Sequence, residues 1–422
     1  MGAHRGSNLP LALAVAVVAA GAATLILRPR SGLIEPAAVD AAAYFSKAQL
    51  DRASDFRDIQ RLIGVGGLLV SGGTLAVLAL RPPRRVRRLL ERGGHRPLRG
   101  AALAGAGLSL VLVATGLPLS LWAHERAVDV GLSTQSLGAW LGDVAKSAAI
   151  GAAVAALGGA VAIALVRRFP RRWWIPAAGA ATGFAVLVLY LSPVLIDPLF
   201  NRFEPLPQGA LRSEVVRLAD RAGVEVGEVY RVDASRRTTA INAYVGGIGQ
   251  TKRVVLYDNL IEDYPEEQVR SVVAHELGHV KNRDLPRGLL WIAIVAPAGT
   301  LLMQRLAELM ARGDVLGARR DGLGGERRRA GPAALPALAL SFALVSFGLT
   351  CAGNALSRPV EARADSFALE MTRDPGAFIE LERSLTLRNL GDPDPPALLH
   401  KLFGTHPTTV ERIGFGEGYK RH

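Results

Sequence analysis

Seven long apolar segments constrain the fold of this 422-residue chain more than any other feature of its sequence. Most of them approach the roughly 20 apolar residues that an α-helix needs to cross the hydrocarbon core of a membrane. Half of all residues are hydrophobic, which favours a polytopic membrane protein. The chain is therefore predicted to be mainly α-helical, with about seven transmembrane helices. The segments cover residues 9–27, 62–80, 101–123, 147–166, 173–196, 288–303 and 333–353.

Two of these segments allow another interpretation. The segment 288–303 is short and contains Pro297, so a re-entrant or tilted segment is an alternative to a full span. The first segment follows Arg5 and could be a cleaved signal peptide. Its uncharged stretch exceeds the roughly 7–15 residues of a signal core, which favours a retained first span.

The polar regions of the chain predict where a folded domain can form between the spans. Four units result: a membrane region of about five spans, a polar domain, two further membrane segments and a C-terminal segment. Their predicted limits are 1–196, 197–287, 288–353 and 354–422. Catalytic chemistry is expected in the second and fourth units, because only these are polar and long enough to fold.

The region 197–287 is predicted to form a helix, three strands and a second helix. "LRSEVVRLADRAG" has apolar residues at helical spacing and ends in Gly223. The runs "EVYRVDA", "INAYVGG" and "KRVVLYD" are rich in β-branched and aromatic residues, and "GGIGQT" is suited to a hairpin turn. "PEEQVRSVVAHELGHVKNRD" begins with Pro265 and two glutamates, as a helix N-terminus does. A small antiparallel sheet followed by a helix is expected.

The second helix carries His-Glu-Leu-Gly-His. His275 and His279 are four residues apart, so they share one face of the helix and can donate two nitrogens to one metal ion. Glu276 lies beside them and is placed to take the proton from an attacking water. Hydrolytic zinc sites usually have three protein ligands, and two His with one Glu is a common set. Since position 285 is Leu and not a third histidine, a distant glutamate is expected.

The candidate glutamate lies in "NALSRPVEARADSFALE", after the last apolar segment. Glu361 and Asp365 are again four residues apart, so one carboxylate can bind the metal while the other fixes a ligating histidine. The helix that carries them is predicted to begin close to Pro359, with Ser357 as its cap. A solvated amphipathic helix is the alternative interpretation of this stretch.

The second half of the chain, from "SPVLIDPLFNRFEPLP" to the C-terminus, resembles the type I CAAX prenyl endopeptidases. These are integral-membrane zinc proteases related to the HtpX-type heat-shock peptidases. The motifs that carry the resemblance are "NAYVGGIGQTKRVVLYDNLI", "VVAHELGHVKNRD", "SRPVEARADSFAL" and "THPTTVERI". The first four spans support it only by their number and hydrophobicity. The resemblance implies a small α+β metalloprotease domain of the zincin type within a membrane protein.

The resemblance implies the same roles for the five residues above. His275, His279 and Glu361 would hold one zinc ion, Glu276 would be the general base, and Asp365 would orient a ligand.

The resemblance also implies roles for residues outside the metal motifs. Asn242, Ala243 and Tyr244 would form an edge strand onto which an extended peptide adds, although Tyr244 is equally suited to plain sheet packing. His406 would stabilise the developing oxyanion, and Arg412 would brace the nearby carboxylates. A histidine before a proline is otherwise most often a turn residue.

The net charge of +13 does not predict a nucleic-acid partner, because the arginines are concentrated in short runs beside apolar segments. The loops hold eight arginines in 81–99, four in 167–172 and seven in 304–330, whereas 124–146 has only Arg126 and Lys146. Positive-inside reasoning puts the three basic loops in the cytoplasm and the metal motifs outside. The resemblance implies the opposite orientation. The single Cys351 excludes an intrachain disulfide and a Cys-rich zinc finger.

The sequence thus predicts a multi-pass protein of the cell membrane that is a zinc metalloendopeptidase. Its partners would be membrane lipid and a peptide or protein substrate. A prenylated CAAX peptide and a damaged membrane protein, as for HtpX-type relatives, are the two substrate hypotheses. An inactive scaffold or a transporter is the alternative from another class, but the intact set of five metal-site residues is evidence against it.

Overall fold

The computed structural model describes residues 8–246, 252–310 and 330–421. Within these residues, seven helices are long and apolar enough to cross a membrane, so the predicted number is confirmed. The candidate spans are Leu9–Leu27, Lys47–Leu80, Pro97–Asp129, Leu137–Arg168, Trp174–Leu199, Asp284–Met310 and Pro332–Thr372. The predicted hairpin turn at "GGIGQT" and the basic stretch "ARRDGLGGERRRAG" lie almost entirely outside the described residues.

The α-helices of the described residues are numbered along the chain, and seven of them lie in the candidate spans. These are α1 (Leu9–Leu27), α2 (Lys47–Leu80), α4 (Pro97–Asp129), α5 (Leu137–Arg168), α6 (Trp174–Leu191), α10 (Asp284–Met310) and α11 (Leu335–Thr372). The others are α3 (Arg84–Arg92), α7 (Ala210–Ala222), α8 (Asp258–Asp263), α9 (Glu266–Lys281), α12 (Pro375–Arg388), α13 (Ala397–Phe403) and α14 (Thr409–Tyr419).

Helix α10 corrects the re-entrant interpretation of the segment 288–303. It runs without interruption through Pro297, which lies inside the helix. Small residues allow close packing against α1: Ala12 and Ala16 form a buried cluster with Ala298 and Leu302. A helix packed along its whole length tolerates a proline, because its neighbours hold the turn in place.

Helix α11 corrects a second expectation, that a new helix begins near Pro359 with Ser357 as its cap. Both residues lie inside one helix of 38 residues, which carries the last span and Glu361 together. Leu356 is buried against α10 before the proline, and Ala364 is completely buried after it. Tertiary packing on both sides of the proline therefore outweighs the local tendency to break the helix.

The sheet has four strands, β1 (Phe203–Pro205), β2 (Glu228–Val232), β3 (Ala243–Gly246) and β4 (Arg253–Tyr257), in the order β1-β2-β4-β3. The β3–β4 pair is antiparallel, as predicted. The expectation of an all-antiparallel sheet is wrong, because β2 and β4 are parallel. Strand β3 runs back toward the start of β2, so β4 enters in the direction of β2. β1 was not predicted, since three residues give too short a pattern.

The sheet positions α9, the helix of the histidine motif. Val254 and Leu256 of β4 are fully buried, and they form one core with Val273 and Leu277 of α9. Because α9 contributes its apolar face to this core, its opposite face is left for the histidines.

The two described basic loops lie at one end of the helical bundle. Arg167 donates a hydrogen bond from Nη1 to the carbonyl oxygen of Ala330, 2.9 Å away. Gly100 lies so close to Pro332 that an added Cβ would be 2.8 Å from the proline Cγ. Most of the third basic loop, 304–330, lies outside the described residues.

The connections at the other end of the bundle contact the polar domain. The backbone N–H of Ile34 donates to the Ser366 hydroxyl at 2.9 Å, and the N–H of Thr134 donates to the carbonyl of Arg237 at 3.2 Å. The histidine motif and the basic loops are therefore at opposite ends of the bundle.

Candidate metal centre

Helices α9 and α11 pack closely at the histidine motif, and Gly278 makes this contact possible. A Cβ at this position would lie 3.0 Å from Cδ1 of Phe367 and 3.4 Å from Cα of Ala364, both on α11. The glycine between the two histidines therefore lets α11 approach α9. This approach brings Glu361 next to His275, although the two residues are far apart in sequence.

Three ligand atoms from these helices converge on one point. Nε2 of His275 and Nε2 of His279 are 3.2 Å apart. Oε2 of Glu361 lies 3.2 Å from the first nitrogen and 3.4 Å from the second. A tetrahedral zinc site with ligand distances of about 2.0–2.1 Å requires ligand-to-ligand separations of about 3.3–3.4 Å. The three atoms thus have the spacing of a tetrahedral metal site.

The hydrogen bonds of the two imidazoles direct their lone pairs to the same point. Nδ1 of His275 lies 2.8 Å from Oδ1 of Asp365, and Nδ1 of His279 lies 3.0 Å from Oδ2 of Asp284. A carboxylate partner keeps the proton on Nδ1, so each Nε2 is left as a lone-pair donor.

The three ligand atoms fit a metal ion, because their arrangement is unfavourable without a cation. Two facing imidazole lone pairs and a carboxylate repel one another at these distances. Oε2 of Glu361 is buried and has no hydrogen-bond partner among the described residues. An orphaned carboxylate oxygen beside two imidazole nitrogens is explained by a metal ligand set. The residues therefore fit a metal ion, and two nitrogens with one oxygen suit zinc.

The charges around the site shift the pKa of its histidines. Burial lowers the pKa of His275, but the nearby carboxylates of Asp365 and Glu361 outweigh this effect and raise it to about 10. Burial likewise lowers the pKa of His279, whereas Asp284 and Glu361 raise it to about 9. A metal ion must displace these protons when it binds.

Glu276 lies between the two histidines in the sequence of α9 and is electrostatically coupled to both of them. Burial raises its pKa above the ordinary glutamate value, although the nearby histidines oppose the shift. A carboxylate with a raised pKa can both accept and return a proton near neutral pH.

Asp365 is held by a second charged layer. Its side chain is completely buried and accepts hydrogen bonds from Nε and Nη2 of Arg412 on α14. Nη1 of the same arginine lies 2.7 Å from Oε2 of Glu382 on α12, which is also buried. Burial raises the pKa of Glu382 to about 7 against the opposing charge of Arg412. One continuous hydrogen-bonded chain thus runs from His275 through Asp365 and Arg412 to Glu382.

Asp284 is the corresponding support for His279. It is the first residue of α10. Arg283 before it has a positive φ of 56°, which interrupts the helical conformation between α9 and α10. Arg287 and Arg363 both form ion pairs with the Asp284 carboxylate. Two arginines therefore fix this carboxylate next to the histidine.

His406 lies at the open side of the site. Its Nε2 is 3.3 Å from Oε2 of Glu361, and its side chain is 53% exposed. Nδ1 lies 2.8 Å from the hydroxyl of Thr405. Burial lowers the pKa of His406, which favours the neutral imidazole. A neutral imidazole at this place can exchange hydrogen bonds with a substrate.

The three predicted substrate-binding residues lie at an edge of the sheet. β3, which contains Ala243 and Tyr244, is the last strand in the order and packs on α9. Asn242 immediately precedes the strand, and its carbonyl accepts a hydrogen bond from the N–H of Tyr257. The Tyr244 hydroxyl lies 3.4 Å from a carboxylate oxygen of Asp197.

An apolar cavity of about 660 Å³ begins next to the metal residues and extends between the spans α10 and α11. Asp284 and Arg287 line one part of it, while Trp291, Phe342 and Leu349 line another. The cavity therefore joins a charged region near the site to an apolar region within the bundle.

The structure brings seven of the predicted residues into one network and adds two that the sequence did not predict. The seven are His275, Glu276, His279, Glu361, Asp365, His406 and Arg412. The missed residues are Asp284 and Glu382. Asp284 is the last residue of the motif "VKNRD". Its position, five residues after His279, is a sequence signal that could have predicted a carboxylate near this histidine. Glu382 has no local signal, because it meets Arg412 only through the packing of α12 on α14.

Comparisons with known proteins agree with this geometry. The profile of peptidase family M48 matches residues 205–416, and a profile described as the CAAX prenyl protease N-terminal region with five membrane helices matches residues 72–202. The chain is 33% identical to a Bacillus subtilis protein named the uncharacterized metalloprotease YhfN, over 74% of this chain and 71% of that protein.

More distant relatives carry the name CAAX prenyl protease 1. The chain is 32% identical to the Arabidopsis thaliana homolog over 54% of this chain and 52% of the relative. It is 31% identical to the Saccharomyces cerevisiae protein over 41% of this chain and 38% of the relative. The crystal structure of S. mikatae Ste24p has the same fold: the TM-score is 0.73 at 18% identity, over 97% of this chain and 99% of that chain.

Proposed function

Since the chain belongs to peptidase family M48 and is a multi-pass membrane metalloendopeptidase, we propose that its metal is zinc, held by His275, His279 and Glu361. The tetrahedral spacing of their three ligand atoms is the observation that carries this proposal. A zinc ion at this centre supplies Lewis-acid activation of the attacking water and of the scissile carbonyl.

The side chains around the centre carry the proton transfers. Glu276 takes a proton from the attacking water and returns it to the leaving amine. Asp365 and Asp284 hold the Nδ1 protons of the two histidines, which keeps both rings in the ligand orientation. His406 donates a hydrogen bond from Nε2 to the oxyanion that develops at the scissile carbonyl.

The substrate is an extended peptide that binds along β3. This strand has one partner, β4, and its other edge is unpaired among the described strands. A peptide that adds to this edge gains main-chain hydrogen bonds, and Asn242, Ala243 and Tyr244 form the contact. β3 also packs on α9, so the added peptide lies next to the helix that carries Glu276.

Replacement of Glu276 tests the catalytic assignment. Glu276→Gln removes the proton acceptor but none of the three ligands, so zinc content should stay at one ion per chain while cleavage falls by about 10²–10⁴-fold. Glu267→Gln is the matched control, because Glu267 is an exposed glutamate on the same helix. Full cleavage by the Glu276→Gln protein would overturn the assignment.

For the substrate class, we propose a prenylated C-terminal CAAX peptide. The named plant and yeast relatives support this choice, and the apolar cavity beside Asp284 offers space for a lipid group. Two synthetic peptides of one sequence, one prenylated and one not, should be compared in detergent with the wild type and Glu276→Gln. Preference for the prenylated peptide supports the proposal. Equal Glu276-dependent cleavage of both would instead indicate the HtpX-like role in clearance of membrane proteins.

The orientation of the centre in the membrane follows from the basic loops. We propose that the metal centre faces away from the cytoplasm, because the arginine-rich loops lie at the opposite end of the bundle. A reporter fused after His422 should then be active only outside the cytoplasm. A reporter that is active in the cytoplasm would contradict the proposed orientation but not the catalytic proposal.

A further inference from the structure

The end of the bundle opposite the metal centre carries a group of arginines that the proposed function does not use. Eight lie in residues 81–99 and three more in 167–172, and all of them are exposed. We call this group the basic collar. It consists of Arg81, Arg84, Arg85, Arg87, Arg88, Arg92, Arg96, Arg99, Arg168, Arg171 and Arg172.

The arginines of the basic collar have almost no partners within the protein. Within the described part of the chain, the one ion pair that involves them joins Arg87 to Glu91, and both side chains are more than half exposed. An exposed pair of this kind contributes little stability. No carboxylate of the described residues neutralises the other ten arginines of the collar, so their charge is open to a partner outside the described structure.

Several arginines at the metal end form ion pairs. The scarcity of ion pairs in the collar is therefore not a general property of the arginines of this chain. Arg212, Arg217, Arg231, Arg236 and Arg388 all form ion pairs with carboxylates of the polar domain. Within the described residues, carboxylates thus pair with these five arginines of the metal end, whereas Arg87 alone of the collar has such a pair.

Exposed apolar side chains lie among the arginines of the collar. Leu89 is 70% exposed, Leu98 is 47% exposed and Phe169 is 41% exposed. Leu89 belongs to α3, a short helix between the spans α2 and α4. A helix with arginines and exposed leucine beside membrane spans is suited to the boundary between lipid tails and headgroups. Nucleic acid would match the charge alone, whereas a membrane surface matches both features.

We propose that the basic collar binds the headgroups of anionic phospholipids. Clusters of four to eight basic residues beside a span or on an amphipathic helix are typical of anionic-lipid binding. The phosphate and glycerol oxygens of the headgroups accept hydrogen bonds from the guanidinium groups, while Leu89 and Phe169 enter the acyl-chain boundary. The protein thereby has a preferred lipid in the membrane leaflet opposite the metal centre.

The experiment compares lipid binding by the delipidated full-length chain in neutral detergent. Native mass spectrometry measures retention of phosphatidylglycerol and of phosphatidylcholine with matched acyl chains. Arg84→Gln, Arg85→Gln and Arg88→Gln are combined in one variant. Arg28→Gln, Arg52→Gln and Arg202→Gln form the matched control, since these are exposed arginines at the other end of the bundle.

The collar variant should bind phosphatidylglycerol about a hundredfold more weakly than the wild type, because each arginine near the surface contributes about fivefold. The control variant and all phosphatidylcholine affinities should be unchanged. Equal wild-type affinity for the two lipids would overturn the proposal, as would phosphatidylglycerol binding that survives in the collar variant. Complete displacement of the lipid by inorganic phosphate, or collar-dependent binding of an RNA oligomer in its place, would also overturn it.

Discussion

The two ends of the helical bundle use the same residue type in opposite ways. At the metal end, Arg412 lies between the buried carboxylates of Asp365 and Glu382, and its own side chain is only 16% exposed. At the other end, Arg88 is exposed and has no carboxylate partner among the described residues. Burial and pairing therefore decide the role of each charge, whereas the net charge of the chain does not distinguish the two roles.

The largest expected effect at the metal end comes from loss of the third ligand. Glu361→Gln keeps the size of the side chain but removes the negative charge that balances the metal, so stoichiometric zinc should be lost on dialysis. Metal content by atomic emission checks this expectation. Glu370→Gln on the same helix is the control and should keep one zinc ion. Full zinc retention by Glu361→Gln would remove Glu361 from the ligand set.

The same substitution, arginine to glutamine, should have different effects at the two ends of the bundle. Arg412→Gln leaves two buried carboxylates without their cation, so it should lower the free energy of unfolding by about 3–5 kcal/mol. The apparent melting temperature in detergent, followed by tryptophan fluorescence, measures this loss. A melting temperature equal to that of the wild type would mean that the buried network does not stabilise the fold.

The pH dependence of zinc affinity should be steep, because protons compete with the metal. The pKa of metal-free His275 is raised to about 10 and that of His279 to about 9, so below these values each ring carries a second proton, on the nitrogen that would bind the metal. Zinc affinity should therefore fall as pH falls, by up to about a hundredfold per pH unit. Competition with a chromophoric chelator between pH 6 and 8 measures the slope. A flat profile would contradict the proton-competition argument.

Asp284 supports His279 without being a proposed ligand, so its loss should have a smaller effect. Asp284→Asn retains a hydrogen-bond acceptor but no charge, and it should weaken zinc binding by about 10–100-fold. The same chelator competition measures this change. Asp263→Asn, in an exposed ion pair outside the site, is the control. Unchanged zinc affinity in Asp284→Asn would leave the aspartate with a structural role in the α9–α10 connection.

The smallest effect is expected at the basic end. Arg88→Gln removes an exposed charge that no described carboxylate neutralises, so the free energy of unfolding should change by less than about 0.5 kcal/mol. The same melting experiment used for Arg412→Gln measures it. A loss as large as that of Arg412→Gln would show that an exposed arginine of the basic end stabilises the fold as strongly as the buried one.

Features that depend on local periodicity could be predicted from the sequence. The seven spans follow from apolar length, and the helix with His275 and His279 follows from its spacing. The β3–β4 pair follows from two β-rich runs separated by glycines. These patterns record which residues of one element face the same side, so they are visible without tertiary contacts.

Features that depend on contacts between distant elements could not be predicted in the same way. The parallel pairing of β2 and β4 depends on the path of the chain between strands. The continuity of α11 through Pro359 depends on packing against α9 and α10. Glu382 is one of two glutamates in α12, and only its contact with Arg412 distinguishes it. Local propensity is a weak guide where tertiary packing opposes it.

The uninterrupted length of α11 determines the distance from the basic end of the bundle at which a peptide bond can be cleaved. Leu335 lies at the basic end, and Glu361 is 26 residues further along the same helix, about 39 Å away at a rise of about 1.5 Å per residue. One continuous helix therefore sets the distance between the basic end of the bundle and the proposed metal ligand. We expect substrates to present their scissile bond at one depth, so that distance from the membrane contributes to selectivity alongside side-chain sequence.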